Sequence, residues 1–236
     1  DEVNLNCGCP SSRVLAGNFG VALMRRPSIV ADCIKAMKDG SDARVSIKHR
    51  VGIDDNKDYT FVRDFVGKVR DAGCTLFYVH SRCAISNLSP KKNRKIPPID
   101  MLKVRLLKRD FPDCQFVANG ELDSVAKCTS ILKRNEQLDL PGADGVMLGR
   151  AVWKFPTLLS ELQKAFYPEK SMHSLLDVVE GLEGYYNLQK NQGIDTRRVV
   201  RGWVNLFNRQ KGAKKWRIML GEGLKPMEIY QTIFCS

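Results

Sequence analysis

Acidic residues are scarce where this chain gathers its bases. Residues 80–109 carry nine lysines and arginines against Asp100 alone, and residues 196–225 carry nine against Glu222 alone. Each window holds +8 of a net charge of +12, leaving −4 for the rest of the 236 residues. Basicity so localised points to a polyanion-binding surface, the bland alternative being a solvated helix face. Long apolar runs are also missing. Stretches such as 145–148 fall far short of the ~18 residues of a membrane span, which excludes a spanning role and leaves the expectation of a soluble globular chain. Its 43% hydrophobic residues suffice for a large core. The eight cysteines, at 7, 9, 33, 74, 83, 114, 128 and 235, lack the spacing of a disulfide framework, so reduced thiols in an intracellular compartment are expected. Cys7-x-Cys9 has no second pair or nearby histidine, which weighs against zinc. No leader, internal repeat or low-complexity tract is visible; the cytoplasm is the first expectation for location, an organelle the second.

What is present is organised around residues 2–24, EVNLNCGCPSSRVLAGNFGVALM. Alternating Val3 and Leu5 read as a strand that breaks into Asn6-Cys7-Gly8-Cys9-Pro10, followed by a glycine-punctuated loop and a helix-like run. Four more apolar runs follow at 44–48, 75–80, 115–119 and 144–148, and helical spacing stands between them, as in Phe61, Phe65, Val66, Val69. This alternation predicts β/α units on a parallel sheet. Every run closes on a polar or glycine cluster: Asn6-Cys7-Gly8-Cys9, Lys48-His49-Arg50, His80-Ser81-Arg82, Asn119-Gly120, Gly149-Arg150. Carboxyl ends of parallel strands face one way, so the clusters are expected to converge on one site. Singly, each has a structural reading of equal weight, His80 as a satisfied structural histidine for example.

Loop 83–99 contains LSPKKNRKIPP. Loops of this length are functional or disordered, and Lys91, Lys92, Arg94 and Lys95 are expected on the strand-end side, suited to phosphate contacts. After Arg150 the alternation stops. Residues 151–166 read as one helix, 167–171 as a linker, and 175–189, 196–208 and 214–220 as helices of a second, all-helical domain. The expected division is 1–167 and 172–236. Arg197, Arg198 and Arg201 with Trp203 and Phe207, and Lys214, Lys215 and Arg217 around Trp216, offer aromatics able to stack on bases, against the alternative that these aromatics are core.

Taken together, these segments resemble the tRNA-dihydrouridine synthases, most closely their bacterial type-A subgroup. The resemblance runs over nearly the whole chain, through NLNCGCPSSRVLAGNFGVALM, SIKHRVGIDD, HSR followed by LSPKKNRKIPP, NGEL, DGVMLGRAVWKFP, TRRVVRGWVNLF and GAKKWRIML. It implies an α/β fold of the TIM (β/α)8 type that binds FMN, followed by a small all-helical tRNA-binding domain. The implied reaction reduces the C5–C6 double bond of D-loop uridines in tRNA, with NADPH as reductant. The resemblance assigns proton donation to Cys9 and flavin contacts to Lys48, His80, Asn119, Gly120, Glu121, Gly149 and Arg150. It assigns tRNA contacts to Asn6, Lys91, Arg94, Arg197, Arg201, Lys214, Lys215 and Arg217. Neither a metal nor a membrane is implied; the oligomeric state stays open, a monomer being compatible.

The residue types suit that chemistry. A free thiol titrates near ~8.5 and is mostly protonated at neutral pH, so a cysteine can serve as general acid without activation. A lysine suits an anionic reduced flavin, and glycines let backbone amides approach a phosphate. A target base must leave its stack, which fits basic surfaces near the site. Cys7 and Cys83 are expected close enough to the site to be oxidisable, without a chemical role. Departures from the family pattern are His49, Ser81, a shortened 83–89 loop, and NGEL, which puts the Glu121 backbone contact in question. The largest is that the opening motif belongs to the family's fourth barrel strand. The expectation is therefore a barrel lacking its first three units, read as a fragment of a longer chain or as a degenerate product, since five strands cannot close an eight-stranded barrel. Two other functions stay open: a small-molecule flavin oxidoreductase of the dihydroorotate dehydrogenase type, and a catalytically inactive RNA-binding fragment.

Overall fold

In the computed structural model, which describes residues 1–235, β/α alternation occupies the first 148 positions. The order is β1 (Glu2–Cys7), α1 (Ser12–Ala16), a 3-10 turn (Gly20–Arg25), α2 (Pro27–Asp39), β2 (Arg44–Arg50), α3 (Tyr59–Asp71), β3 (Leu76–His80), α4 (Met101–Asp110), β4 (Gln115–Asn119), α5 (Val125–Leu132) and β5 (Gly145–Met147). All pairings are parallel and the strands stand in chain order across the sheet. Neighbouring strands joined through helices in this order are five successive units of a (β/α)8-type barrel.

Strand alternation sorts the two faces. Val45 and Ile47 of β2, Phe77 and Val79 of β3, and Phe116 and Ala118 of β4 are buried, as are Val62, Phe65, Val66 and Val69 on one stripe of α3. Phe77 stacks on Phe116 at 5.4 Å between centroids. Each fully buried phenylalanine contributes about 1.5–3 kcal/mol. The opposite face is polar: Ser46 Oγ donates to Glu2 Oε1 (2.6 Å) and accepts from Asn4 Nδ2 (2.8 Å). Register partners Asn6 and Lys48 lie on this face, with Arg50, His80 and Asn119 in the next row.

His49 departs from the expectation that its cluster faces the site. Period-2 alternation turns it to the helix-bearing face, where it is fully buried against Phe65 and Phe77. Its Nδ1 sits 2.8 Å from the Arg50 carbonyl, which can only accept, so Nδ1 carries the proton and donates. Nε2 has no partner. Burial therefore pushes the pKa down to about 4.

From Gly149 a second compact unit begins, to which 123–125 also belong; the first comprises 1–122 and 126–148. The second unit takes in α6 (Arg150–Lys154) and α7 (Leu158–Phe166), expected with the sheet, then α8 (Leu175–Asn191), α9 (Thr196–Val200), α10 (Ala213–Gly221) and α11 (Pro226–Phe234). The single helix expected over 151–166 is broken at Phe155 (φ −138, ψ 76), because the residue before Pro156 is driven out of helical geometry. The helix expected over 196–208 stops at Val200. Gly202 follows, and the chain continues through i to i+3 bonds such as Trp203 to Val200 and Leu206 to Trp203 (both 2.9 Å), while Asn205 and Asn208 donate to the carbonyls of Trp153 and Lys154. α11, opened by Pro226 at a position where its missing N–H costs nothing, was not anticipated. Val179, Tyr186, Val200, Leu206, Phe207, Trp216, Leu220 and Ile229 form this unit's core. No helix among the described residues is long and apolar enough to cross a membrane. Cys7, Cys9, Cys33, Cys74, Cys83, Cys114 and Cys235 form no disulfide among the described residues.

His49 predicts an acid-labile fold. Its folded pKa lies below the unfolded value, so between pH ~6.5 and ~4 the unfolded chain binds the extra proton, and roughly 3 kcal/mol of stability is lost as pH falls through that window. Urea midpoints measured from pH 7 to 4 should fall with this shape, and His49→Phe should flatten the curve in that window; an unchanged slope would show that His49 is not the titrating group.

Candidate active site at the strand ends

The loop after β1 holds Cys9 by its backbone. Asn6 Oδ1 accepts from the N–H groups of Gly8 (3.0 Å) and Cys9 (3.2 Å), and the Val21 N–H donates to the Cys9 carbonyl (3.0 Å). Gly20 (φ +56) passes so close that an added Cβ would stand 2.6 Å from that carbonyl and 2.5 Å from Val14 Cγ1. Cys9 is half-buried, and its thiol donates to Ser11 Oγ at 3.5 Å. Asn6, expected among RNA contacts, is exposed but spends its side-chain oxygen on shaping this loop.

One row over, Lys48 Nζ donates to Asn119 Oδ1 (3.2 Å) and Asn119 Nδ2 to the Met147 carbonyl (2.7 Å), linking the ends of β2, β4 and β5. Burial, with Arg50 beside it, lowers the Lys48 pKa. Among the described residues no carboxylate pairs with Lys48, so its charge is costly until an anion arrives. Half-buried His80 stands in register between Arg50 and Asn119. Gly120 (φ +129) is crowded: a Cβ there would come within 2.8 Å of Ile99 Cδ1 and Ser81 Oγ and 3.2 Å of His80 Cδ2. Glu121 is also left-handed (φ +51), and its carboxylate is engaged by Arg82, whose guanidinium also donates to the Pro97 carbonyl. Glutamate in NGEL thus has a structural partner inside this unit.

Arg50 gathers the surrounding loops. Only 3% exposed, it donates from Nε to the Gly8 carbonyl (2.9 Å) and from Nη1 to the carbonyls of Cys83 and Asn93 (both 3.3 Å). Burial and the charge of Arg82 lower its pKa to about 10, so it stays cationic at neutral pH. Asn93, fully buried, holds loop 83–99 from within, bonding to the N–H and C=O of Ile85 and to the Leu88 carbonyl (2.8 Å each). That loop is therefore an ordered platform. Lys91, Lys92, Arg94 and Lys95 are exposed on it. A cleft of about 870 Å³ opens beside it, walled by Asp54, Lys57, Ser86, Pro97 and Lys103, and takes in none of the strand-end groups; a smaller one of about 460 Å³ includes Gly120 and Glu121.

In the second unit Gly149 caps α6, Arg150 opens it, and both are exposed. Nothing crowds Gly149 within 4 Å, so no internal contact demands a glycine there. Arg197, Arg201, Lys214 and Lys215 are exposed; Arg217, also exposed, donates to Asn208 Oδ1 (3.1 Å). Of the aromatics expected to stack on bases, Phe207 and Trp216 are core, while Trp203 is half-buried against that core. Trp216 and Phe207 are buried against each other at 4.7 Å, and Trp216 donates to the Trp203 carbonyl (2.9 Å). Cys7 and Cys83 also overturn an expectation. Both are buried, and burial pushes Cys7 up to about 12 and Cys83 upward as well, which withholds the thiolate that oxidation needs.

Sequence reasoning missed Arg50, Arg82, Asn93 and Ser11 as organisers. Alternation alone would have separated Lys48 and Arg50 from His49, but buried arginines bonded to carbonyls leave no pattern in sequence. Arg50→Met should cost about 2–4 kcal/mol by leaving the carbonyls of Gly8, Cys83 and Asn93 unpaired. Arg50→Lys should recover little, since an ammonium lacks the planar fork. Urea unfolding and limited proteolysis of loop 83–99 check this; a lysine variant as stable as the parent would refute it.

Comparison with known proteins bears on this arrangement. A family model described as dihydrouridine synthase (Dus) matches residues 1–234. A protein of Pasteurella multocida (strain Pm70) named tRNA-dihydrouridine(20/20a) synthase is 41% identical over 223 residues, 94% of this chain and 66% of that protein. Its namesake in Pseudomonas putida is 42% identical over 222 residues, 93% of this chain and 64% of that protein. A third, from Haemophilus ducreyi, is 41% identical over 223 residues, 94% of this chain and 66% of that protein. The chain thus spans a little under two thirds of the length of these relatives.

Proposed function

The chain belongs to the dihydrouridine synthase family, and on that premise we propose that it reduces uridine to 5,6-dihydrouridine in tRNA, with FMN as cofactor, NADPH as reductant and Cys9 as proton donor. The names of its relatives specify positions 20 and 20a, which we carry over as the target. The observation that carries the reading is Cys9, held by its backbone at the strand ends on the same sheet as a cation, Lys48, that has no acidic partner among the described residues.

FMN fits these residues on two counts. Lys48 is a half-buried charge that an anionic group would stabilise, and Gly120 brings backbone to the site where a side chain has no room. Lys48, His80, Asn119, Gly120 and the Glu121 backbone would hold it, and its phosphate is assigned to Gly149 and Arg150, which follow β5 in the chain. When bound it supplies the hydride for one carbon of the C5–C6 bond. Cys9 gives its thiol proton to the other carbon, the S–H electron pair remaining on sulfur. Asn6 keeps the loop in the shape that presents that thiol. The target uridine leaves its stack to reach it. Lys91 and Arg94, and Arg197, Arg201, Lys214, Lys215 and Arg217 of the helical region 172–236, neutralise tRNA phosphates. The place of action follows the tRNA inside the cell.

Cys9→Ala should abolish dihydrouridine formation on unmodified tRNA while flavin absorbance persists; undiminished product would remove Cys9 from the reaction. Lys214→Glu with Lys215→Glu should weaken tRNA binding without changing the flavin spectrum, and should flatten the plot of log affinity against log salt by about 0.7–0.9 per lost phosphate contact. Equal slopes would exclude these lysines from the RNA surface.

A further inference from the structure

Ser11 occupies the N-cap of α1 in extended backbone (φ −69, ψ 145), where a serine ordinarily turns its hydroxyl onto the first amides of the helix. It makes no such bond. Its Oγ instead accepts from the Cys9 thiol at 3.5 Å. The other contacts that hold Cys9 are to backbone: Asn6 at its N–H, Val21 at its carbonyl, Gly20 beside its Cβ. A hydroxyl both donates and accepts, so the same contact serves either form of the sulfur. With the thiol present, Ser11 accepts; once the proton has gone, a thiolate can only accept, and the Ser11 O–H turns to donate. Ser11 is half-buried, not sealed in the core.

We propose that Ser11 is the relay through which Cys9 regains its proton between turnovers. The step balances as follows. The Cys9 S–H bond breaks as its proton bonds to the uracil ring carbon, leaving the electron pair on sulfur. The Ser11 hydroxyl proton then bonds to sulfur while its oxygen takes a proton from water, and the resulting hydroxide is neutralised by buffer. The relay rests on Cys9 being the proton donor, as proposed above.

The test uses the flavin-loaded protein with Ser11→Ala and Ser11→Thr, the second keeping a hydroxyl in backbone that suits a β-branched residue. Without tRNA, iodoacetamide at one fixed pH, followed by peptide mass spectrometry, should label Cys9 more slowly in Ser11→Ala than in the parent and at the parental rate in Ser11→Thr, because a donor to the thiolate has been lost and regained. With tRNA, single-turnover reduction in Ser11→Ala should run at the parental rate, since the thiol begins protonated. Its steady-state kcat should fall about tenfold with KM unchanged. An unchanged labelling rate overturns the relay, as does an unchanged steady-state kcat, or a loss already present in the single turnover and not rescued by threonine. Turnover surviving in Cys9→Ala would instead overturn the assignment of Cys9, and the relay with it.

Discussion

One buried guanidinium sets the form of the strand-end surface. Arg50 reaches the loop after β1 through the Gly8 carbonyl, and the long loop after β3 through the carbonyls of Cys83 and Asn93. Those loops carry, respectively, the thiol and the exposed cations of this unit's RNA-facing candidate surface. Unpaired carbonyls in a buried position are costly, and a planar fork with several donors satisfies them where no other side chain can. Cys9, Lys91 and Arg94 therefore inherit their positions from a residue that itself performs no chemistry.

The same logic divides the basic residues into two populations. Arg50, Arg82 and Arg105 are buried and directed at backbone carbonyls, Arg105 bonding those of Ser130, Lys133 and Pro141. Lys91, Lys92, Lys95, Arg197, Arg201, Lys214 and Lys215 are exposed. A net charge of +12 thus overstates what is available to a polyanion, since part of it is structural. What remains outside is concentrated on loop 83–99 and on the helical region, which keeps the argument for a nucleic-acid surface intact. The aromatics went the other way. Phe207 and Trp216 belong to the helical core, with Trp203 packed half-buried against it.

Five strands in chain order, with polar and glycine clusters at their carboxyl ends, were legible in periodicity, because a strand buried on one face must alternate and a parallel pair must be bridged by a helix. Cys9, Lys48, Asn119 and Gly120 were legible too, standing where alternation broke into polar and glycine residues. The failures have local causes. Pro156 divided one expected helix, Gly202 and two asparagines bonded to distant carbonyls ended another, and the unnoticed α11 lay behind a second helix-initiating proline. His49 was grouped with its neighbours although alternation places it on the other face.

By itself, then, the sequence determined which segments pair, which residues reach the strand ends, and where the chain keeps its cations, for these depend on local periodicity and on charges counted along the chain. Only the tertiary structure decided which polar side chains are spent on backbone carbonyls and which face outward. It decided that Cys7 is sealed while Cys9 is held against a serine hydroxyl, and that the tryptophan amid three basic residues is core. Hydrogen-bond partners more than 30 residues apart in the chain, as Arg50 is from both Cys83 and Gly8, leave no periodic trace, because their meeting is set by the packing of whole elements.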